Sequence, residues 1–158
     1  METKARLLKL LRERKYKITF AESCTGGALA SEFVCTQGAS DVFEYGFITY
    51  SKNSKINLLG VDIKTINDHG IVSTETAEAM VLGAVNKSKA DVGISVTGCA
   101  GPGKDSEGND AGTVCFAFYV QGKITKKKVF FSELKRNEVR EKAVDYAFEN
   151  ICLLLENN

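Results

Sequence analysis

Between Lys17 and Val34 the chain passes from an apolar run, Lys17-Ile18-Thr19-Phe20-Ala21, through Glu22-Ser23-Cys24-Thr25-Gly26-Gly27, into a helix-compatible segment from Ala28 to Val34. The run has the length and β-branched content of a short buried strand. The small residues after it suit a tight turn, so the reading is strand, turn, helix. That succession constrains the fold more than any other stretch, because a buried strand running directly into a helix is the repeating unit of sheets covered by helices.

The remaining elements fit the same plan. Leu7, Leu8 and Leu11 recur at helical spacing among charged neighbours, so the first fifteen or so residues read as an amphipathic helix. Phe43 to Tyr50 reads as a second strand, and Ser51 can cap a helix that runs through Leu59 and stops at Gly60. After a polar connection around His69-Gly70, Ser73-Thr74-Glu75-Thr76 opens a helix through about Lys87, with Ala77, Met80, Val81 and Ala84 as its apolar face. Asp91 to Thr97 is a third strand. Thr113–Val120 and Ile124–Phe131 flank Gln121-Gly122-Lys123 as a hairpin, and Asn137–Leu155 forms a terminal helix. Early alternation and a late hairpin predict an α/β fold, a three-layer α/β/α sandwich with a mixed, largely parallel sheet. Strand order is open at this point.

A chain of 158 residues suits one domain, long enough to bury roughly 70% of its unfolded surface. The formal charge is +1, and apart from Lys126-Lys127-Lys128 the basic residues are interleaved with acidic ones, which argues against nucleic acid as a partner. Five widely spaced cysteines form no C-x-x-C pair, which argues against a disulfide framework and a zinc knuckle and suits a reducing cytoplasm. The amino terminus mixes charges of both signs among its leucines, unlike a signal peptide, and no apolar stretch approaches the ~20 residues of a membrane span. No cluster has metal-ligand spacing, so no metal is expected.

Several constellations could carry chemistry. Ser23 lies where a strand ends and a helix begins, a position that can present a nucleophile and offer backbone N–H groups from Thr25, Gly26 and Gly27 to an oxyanion. The same features also describe an ordinary N-cap with glycines for packing. A serine nucleophile needs a base, and the single histidine, His69, sits in a polar connection. A lysine with a lowered pKa can serve instead, and Lys55 lies at the same kind of strand-to-helix edge, although a helix lysine is ordinarily solvated. The longest loop, Gly98–Gly112, holds the only proline, and its Thr97-Gly98-Cys99-Ala100-Gly101-Pro102-Gly103 stretch offers a backbone nest for an anion, making Thr97, Gly98 and Gly101 candidate substrate contacts. Arg136 and Arg140, four apart, can share a helix face and fork onto a phosphate, or simply be solvated. Cys24 is a rival nucleophile beside Ser23.

Read together, Ala21-Glu22-Ser23-Cys24-Thr25-Gly26-Gly27, Gly46-Phe47-Ile48-Thr49-Tyr50-Ser51 with Lys55, Thr97-Gly98-Cys99-Ala100-Gly101-Pro102 and Gly112-Thr113-Val114 resemble the CinA carboxy-terminal domain family, also called the PncC family. The resemblance covers the chain from its first helix to its last, so residues 1–158 are expected to be a single domain of that kind. It implies hydrolysis of the amide of nicotinamide mononucleotide to nicotinate mononucleotide and ammonia, in pyridine nucleotide recycling, with no metal or other cofactor. It further implies a pyridine mononucleotide as the small-molecule substrate, no membrane association, and a homodimer or larger homo-oligomer.

By position in the matching motifs, Ser23 takes the role of nucleophile, Lys55 of general base, and Tyr50 of a pocket residue close to both. Thr25, Gly26 and Gly27 line the oxyanion and ligand site, and Arg136, with Arg140 as second choice, binds or orients the nucleotide. Two departures stand out. Lys52 replaces the family's usual asparagine and is expected to depress the Lys55 pKa as a neighbouring cation, and the 103–111 stretch is more charged than usual and lacks a second proline. These departures leave a non-catalytic pyridine-nucleotide-binding or regulatory module as the alternative function.

Overall fold

The computed structural model describes residues 2–158. In chain order the elements are α1 (Thr3–Arg14), β1 (Ile18–Glu22), α2 (Ala28–Val34), a 3-10 turn (Ala39–Asp41), β2 (Phe43–Ile48), α3 (Lys52–Leu59), α4 (Ile63–His69), α5 (Thr74–Ser88), β3 (Val92–Gly98), β4 (Thr113–Val120), β5 (Lys123–Phe130) and α6 (Arg136–Glu156). The five strands form one sheet in the order β2-β1-β3-β4-β5. β1 pairs in parallel with β2 and β3, while β3–β4 and β4–β5 are antiparallel, so the expected mixed sheet is divided evenly between the two kinds of pairing.

Strand alternation sets the two helical layers. On one face Ile18 and Phe20 of β1, Val92, Ile94 and Val96 of β3 and Val114, Phe116 and Phe118 of β4 pack with α1, α2 and α6 in the main core. On the other face the same strands present small residues. Gly93 faces Val81 and Val85 of α5, the Ser95 hydroxyl donates to the Ala77 carbonyl at 2.5 Å, and Cys115 and Ala117 pack on Ala77 and Val81. Small side chains on that face let α5 lie close across the sheet, which is why β3 reads Val-Gly-Ile-Ser-Val-Thr rather than uniformly apolar. The third layer is completed by α3 and α4, whose Leu59 and Ile66, with Val61 of the link between them, pack on Met80 and Ala84 of α5.

The expected hairpin closes through Gln121 and Gly122, both at positive φ, a two-residue turn whose twist matches the strands. One element differs from the sequence reading. The polar connection before His69-Gly70 is a helix, α4, capped by the Asp62 carboxylate accepting from the Lys64 N–H at 2.8 Å. It buries only Ile66, too little apolar periodicity to signal a helix. Among the described residues no helix is long and apolar enough to cross a membrane.

The connections place the site. From β1 the chain moves through α2 to β2 on one side, then returns through α3, α4 and α5 to β3 on the other. The strand order therefore reverses at β1, and the segments that follow β1 and β3, Ser23-Cys24 and Cys99–Glu107, line a crevice beyond the paired strand ends, the usual ligand position in sheets of this type.

Candidate active site

Ser23 is the first residue beyond β1, and its N–H still bonds to the Val96 carbonyl of β3 at 3.0 Å. The turn that follows is held from two sides. The Glu22 carboxylate, 1% exposed, accepts from the N–H groups of Gly27 and Leu29 at 3.0 Å each and of Ala30 at 2.9 Å. A buried carboxylate thus satisfies the orphan donors at the start of α2 and complements its positive end. From the opposite side Arg140 of α6 donates to the Cys24 and Thr25 carbonyls, both at 3.0 Å. Gly26 and Gly27, with φ of 58° and 102°, supply the left-handed backbone the reversal requires.

α3 starts at the expected cap, where the Ser51 hydroxyl accepts from the Ser54 N–H and the Ser54 hydroxyl accepts in return from the Ser51 N–H. Lys55 follows in its first turns. Instead of reaching solvent, its side chain is fully buried and turns into the protein, with Nζ 2.8 Å from Ser23 Oγ and 2.6 Å from the Thr49 carbonyl oxygen. Burial pushes the Lys55 pKa down from 10.5 to about 8. Cys24, whose thiolate would act the other way, stays a neutral thiol in that range because burial raises its own pKa to about 12.

The expected contribution of Lys52 is absent: its ammonium reaches outward to the Asn67 side-chain oxygen at 3.0 Å, and desolvation does the lowering instead. A neutral Lys55 can donate one N–H to Thr49 and turn its lone pair to the Ser23 hydroxyl, the arrangement of a general base and its nucleophile. The same burial makes Cys24 a poor thiolate.

Ser23 and Cys24 open onto a cleft of about 450 Å³ whose far walls are Gly98–Glu107, Ile71 and Val72, with Tyr50 and Arg136 at its rim. Arg136 donates to the Gly101 carbonyl at 2.6 Å and to the Tyr50 hydroxyl at 2.9 Å, which leaves the phenolic proton free to point elsewhere. Of the residues expected from sequence, Ser23, Tyr50, Gly98, Gly101 and Arg136 line this cleft and Lys55 sits behind Ser23. Thr25, Gly26, Gly27, Thr97 and Arg140 do not line it, although the Thr25 N–H belongs to the peptide that joins it to Cys24, which does. The Thr97 hydroxyl donates to the Ile71 carbonyl at 3.0 Å and so holds a cleft wall rather than a ligand. His69 ends α4 beside Glu75, away from the cleft.

The N–H groups of the turn that are free to meet an anion are not the expected set. The Gly26 N–H bonds to the Ser23 carbonyl at 3.0 Å and the Gly27 N–H to Glu22, so neither is available, whereas the N–H groups of Cys24 and Thr25 have no partner among the described residues. Sequence reasoning missed two further residues. Glu22 announces itself only as a lone carboxylate ahead of Gly-Gly and a helix. Glu107 accepts from the Ile71 N–H at 2.8 Å and so ties the long loop down across the cleft, a long-range pairing with no local signal.

A buried serine–lysine pair at the strand-order reversal of a three-layer α/β sandwich defines the class of protein to which this chain belongs. The particular family follows from comparison: the CinA C-terminal domain model matches residues 1–155, and the chain belongs to that family. It is 40% identical over 148 residues, 87% of the chain and 36% of the relative, to a Caldicellulosiruptor bescii protein described as competence-damage inducible. It is likewise 40% identical over 150 residues, 94% of the chain and 37% of the relative, to a CinA-like protein of Petrotoga mobilis. The chain therefore spans little more than a third of the length of these relatives. The crystal structure of a competence-damaged protein (CinA) superfamily protein from Klebsiella pneumoniae superposes with a TM-score of 0.95 at 31% identity, covering 99% of this chain and 97% of that one. One from Enterobacter cloacae gives 0.95 at 34% identity, covering 98% and 90%.

Proposed function

We propose that this chain is an amidohydrolase that converts nicotinamide mononucleotide to nicotinate mononucleotide and ammonia, with Ser23 as nucleophile and Lys55 as the proton carrier. The observation that carries the reading is the 2.8 Å approach of a fully buried lysine, lowered to about pH 8, to a serine hydroxyl at the floor of a cleft. No structural role requires a buried amine there, and isolated buried charges are costly unless used.

Neutral Lys55 takes the Ser23 proton as Oγ bonds to the carboxamide carbon, and the oxyanion is held by the Cys24 and Thr25 N–H groups. Lys55, now an ammonium, protonates the amide nitrogen as the carbon–nitrogen bond breaks and ammonia leaves. Water then attacks the nicotinoyl ester while Lys55 removes its proton, the Oγ–carbon bond breaks, and Ser23 recovers its hydrogen. One residue thereby serves as base and acid in both halves, a contribution of about 10²–10⁴ in rate. At the rim, Arg136 and the Gly98–Gly103 backbone face the phosphate end and Tyr50 the ring.

The test is ammonia release over a small panel of amides by wild type, Ser23→Ala and Lys55→Ala, each checked for folding. Turnover of the mononucleotide abolished by either substitution is expected, and the rate should rise with pH through about 8 as Lys55 loses its proton. A fully active Ser23→Ala enzyme overturns the nucleophile. Calorimetric binding of the mononucleotide by wild type without ammonia release would instead indicate a non-catalytic binding module.

A further inference from the structure

We propose that Arg140 is a positioning residue for the oxyanion: by gripping two carbonyls of the nucleophile turn it orients the N–H groups that would receive the developing charge. The inference rests on the amidase reading and reassigns an arginine expected to touch the nucleotide. A trans peptide is planar, with its carbonyl and N–H pointing to opposite sides. Arg140 Nε holds the Cys24 carbonyl at 3.0 Å, so the Thr25 N–H of the same plane is directed away from α6. Its NH2 nitrogen shares the Thr25 carbonyl, at 3.0 Å, with the Ala28 N–H at 3.1 Å, and the two fix the next plane, whose Gly26 N–H bonds to the Ser23 carbonyl. That bond in turn fixes the plane carrying the Cys24 N–H.

The Thr25 N–H is thus oriented by the guanidinium alone and the Cys24 N–H by the guanidinium together with the turn's own backbone bonds, and Asn137 steadies the guanidinium by accepting from NH1 at 3.1 Å. Only a planar fork can take two successive carbonyls in this way. Glu22 performs the complementary task on the N–H groups further along, and nothing else among the described residues bonds the Cys24 carbonyl.

The test compares wild type, Arg140→Met and Arg140→Lys in two assays: kcat and KM for ammonia release from nicotinamide mononucleotide, and the rate at which a fluorophosphonate labels Ser23. Deleting one oxyanion donor lowers kcat by about 10²–10³. Loosening donors should lower it by about ten- to a hundredfold in Arg140→Met, with KM within about twofold, the pH inflection unmoved and the melting transition retained. Labelling should slow by a similar factor, and Arg140→Lys, able to reach one carbonyl, should lie between. An Arg140→Met enzyme with wild-type kcat and labelling overturns the inference, as does one whose KM rises while kcat holds. If wild type releases no ammonia, the amidase reading falls but the labelling ratio still decides whether Arg140 positions the turn. If wild type is not labelled at Ser23 either, both fall. Should Arg140→Met not fold, the lysine variant carries the comparison.

Discussion

Lys55 is the residue whose presence is least favourable to stability. Its folded pKa of about 8 lies below the 10.5 of the unfolded chain, so between those values the unfolded state binds more protons and stability rises with pH. At pH 7 the lysine is ionised in both states and the folded protein bears the full desolvation penalty, about 3 kcal/mol. Replacement by methionine removes that penalty and leaves the Thr49 carbonyl without its donor, which takes back about 1 kcal/mol. Lys55→Met is therefore expected to be inactive yet more stable than wild type by about 1–2 kcal/mol in urea unfolding at pH 7, with the gain shrinking toward pH 10. A variant less stable at pH 7 would mean that the lysine is held by more than the Thr49 and Ser23 contacts.

The same residue shows what sequence can and cannot convey at this scale. Motif order brought Ser23, Lys55, Tyr50 and Arg136 together, but the depth of Lys55 comes from the packing of α3 on α5, and the grip of Arg140 on the Cys24 and Thr25 carbonyls joins residues more than a hundred positions apart.

At the level of elements, the approach of α3 to α5 sets the reach of Lys55. α3 packs against α5 at Gly83, where a methyl group would overlap the Leu59 carbonyl oxygen at the end of α3. Alanine gains about 1 kcal/mol in helix propensity over glycine, but overpacking against rigid backbone costs about 1–3 kcal/mol. Gly83→Ala should thus be modestly destabilised in a melting experiment and lose activity out of proportion, about a hundredfold, because a shift near 1 Å misplaces the base. Full activity in a folded Gly83→Ala protein would show that α3 can move without taking Lys55 off Ser23.

Helix positions such as α5 and α6 were legible because their apolar residues recur over several turns, and strands because short runs rich in β-branched and aromatic residues end at turn residues. α4 was not, with a single buried side chain, and neither was the closeness of α3 to α5, since a glycine inside a helix signals packing without naming the partner.

For the whole molecule, the two edges of the sheet are unequal. β5 carries Lys123, Lys126, Lys127 and Lys128, the charged kind of edge that discourages pairing with another chain. β2, at the opposite edge, exposes Tyr45 and Ile48 at 53% and 56%, with Tyr50 following at 61%, and meets no second strand on its outer side among the described residues. With its one charge, Glu44, paired to Lys17, this edge fits the expectation of a homodimer, since pairing β2 with its copy would satisfy the free backbone groups and cover Tyr45 and Ile48 together. Light scattering on the eluting protein should then give twice the chain mass at micromolar concentration, and the melting temperature should rise with protein concentration. Tyr45→Lys places a charge at the middle of β2 while leaving its backbone bond from the Thr19 hydroxyl intact, so it should give a folded monomer of half that mass. A wild-type protein that elutes as a monomer across the concentration range, or a Tyr45→Lys variant that keeps the doubled mass, removes β2 as the joining surface.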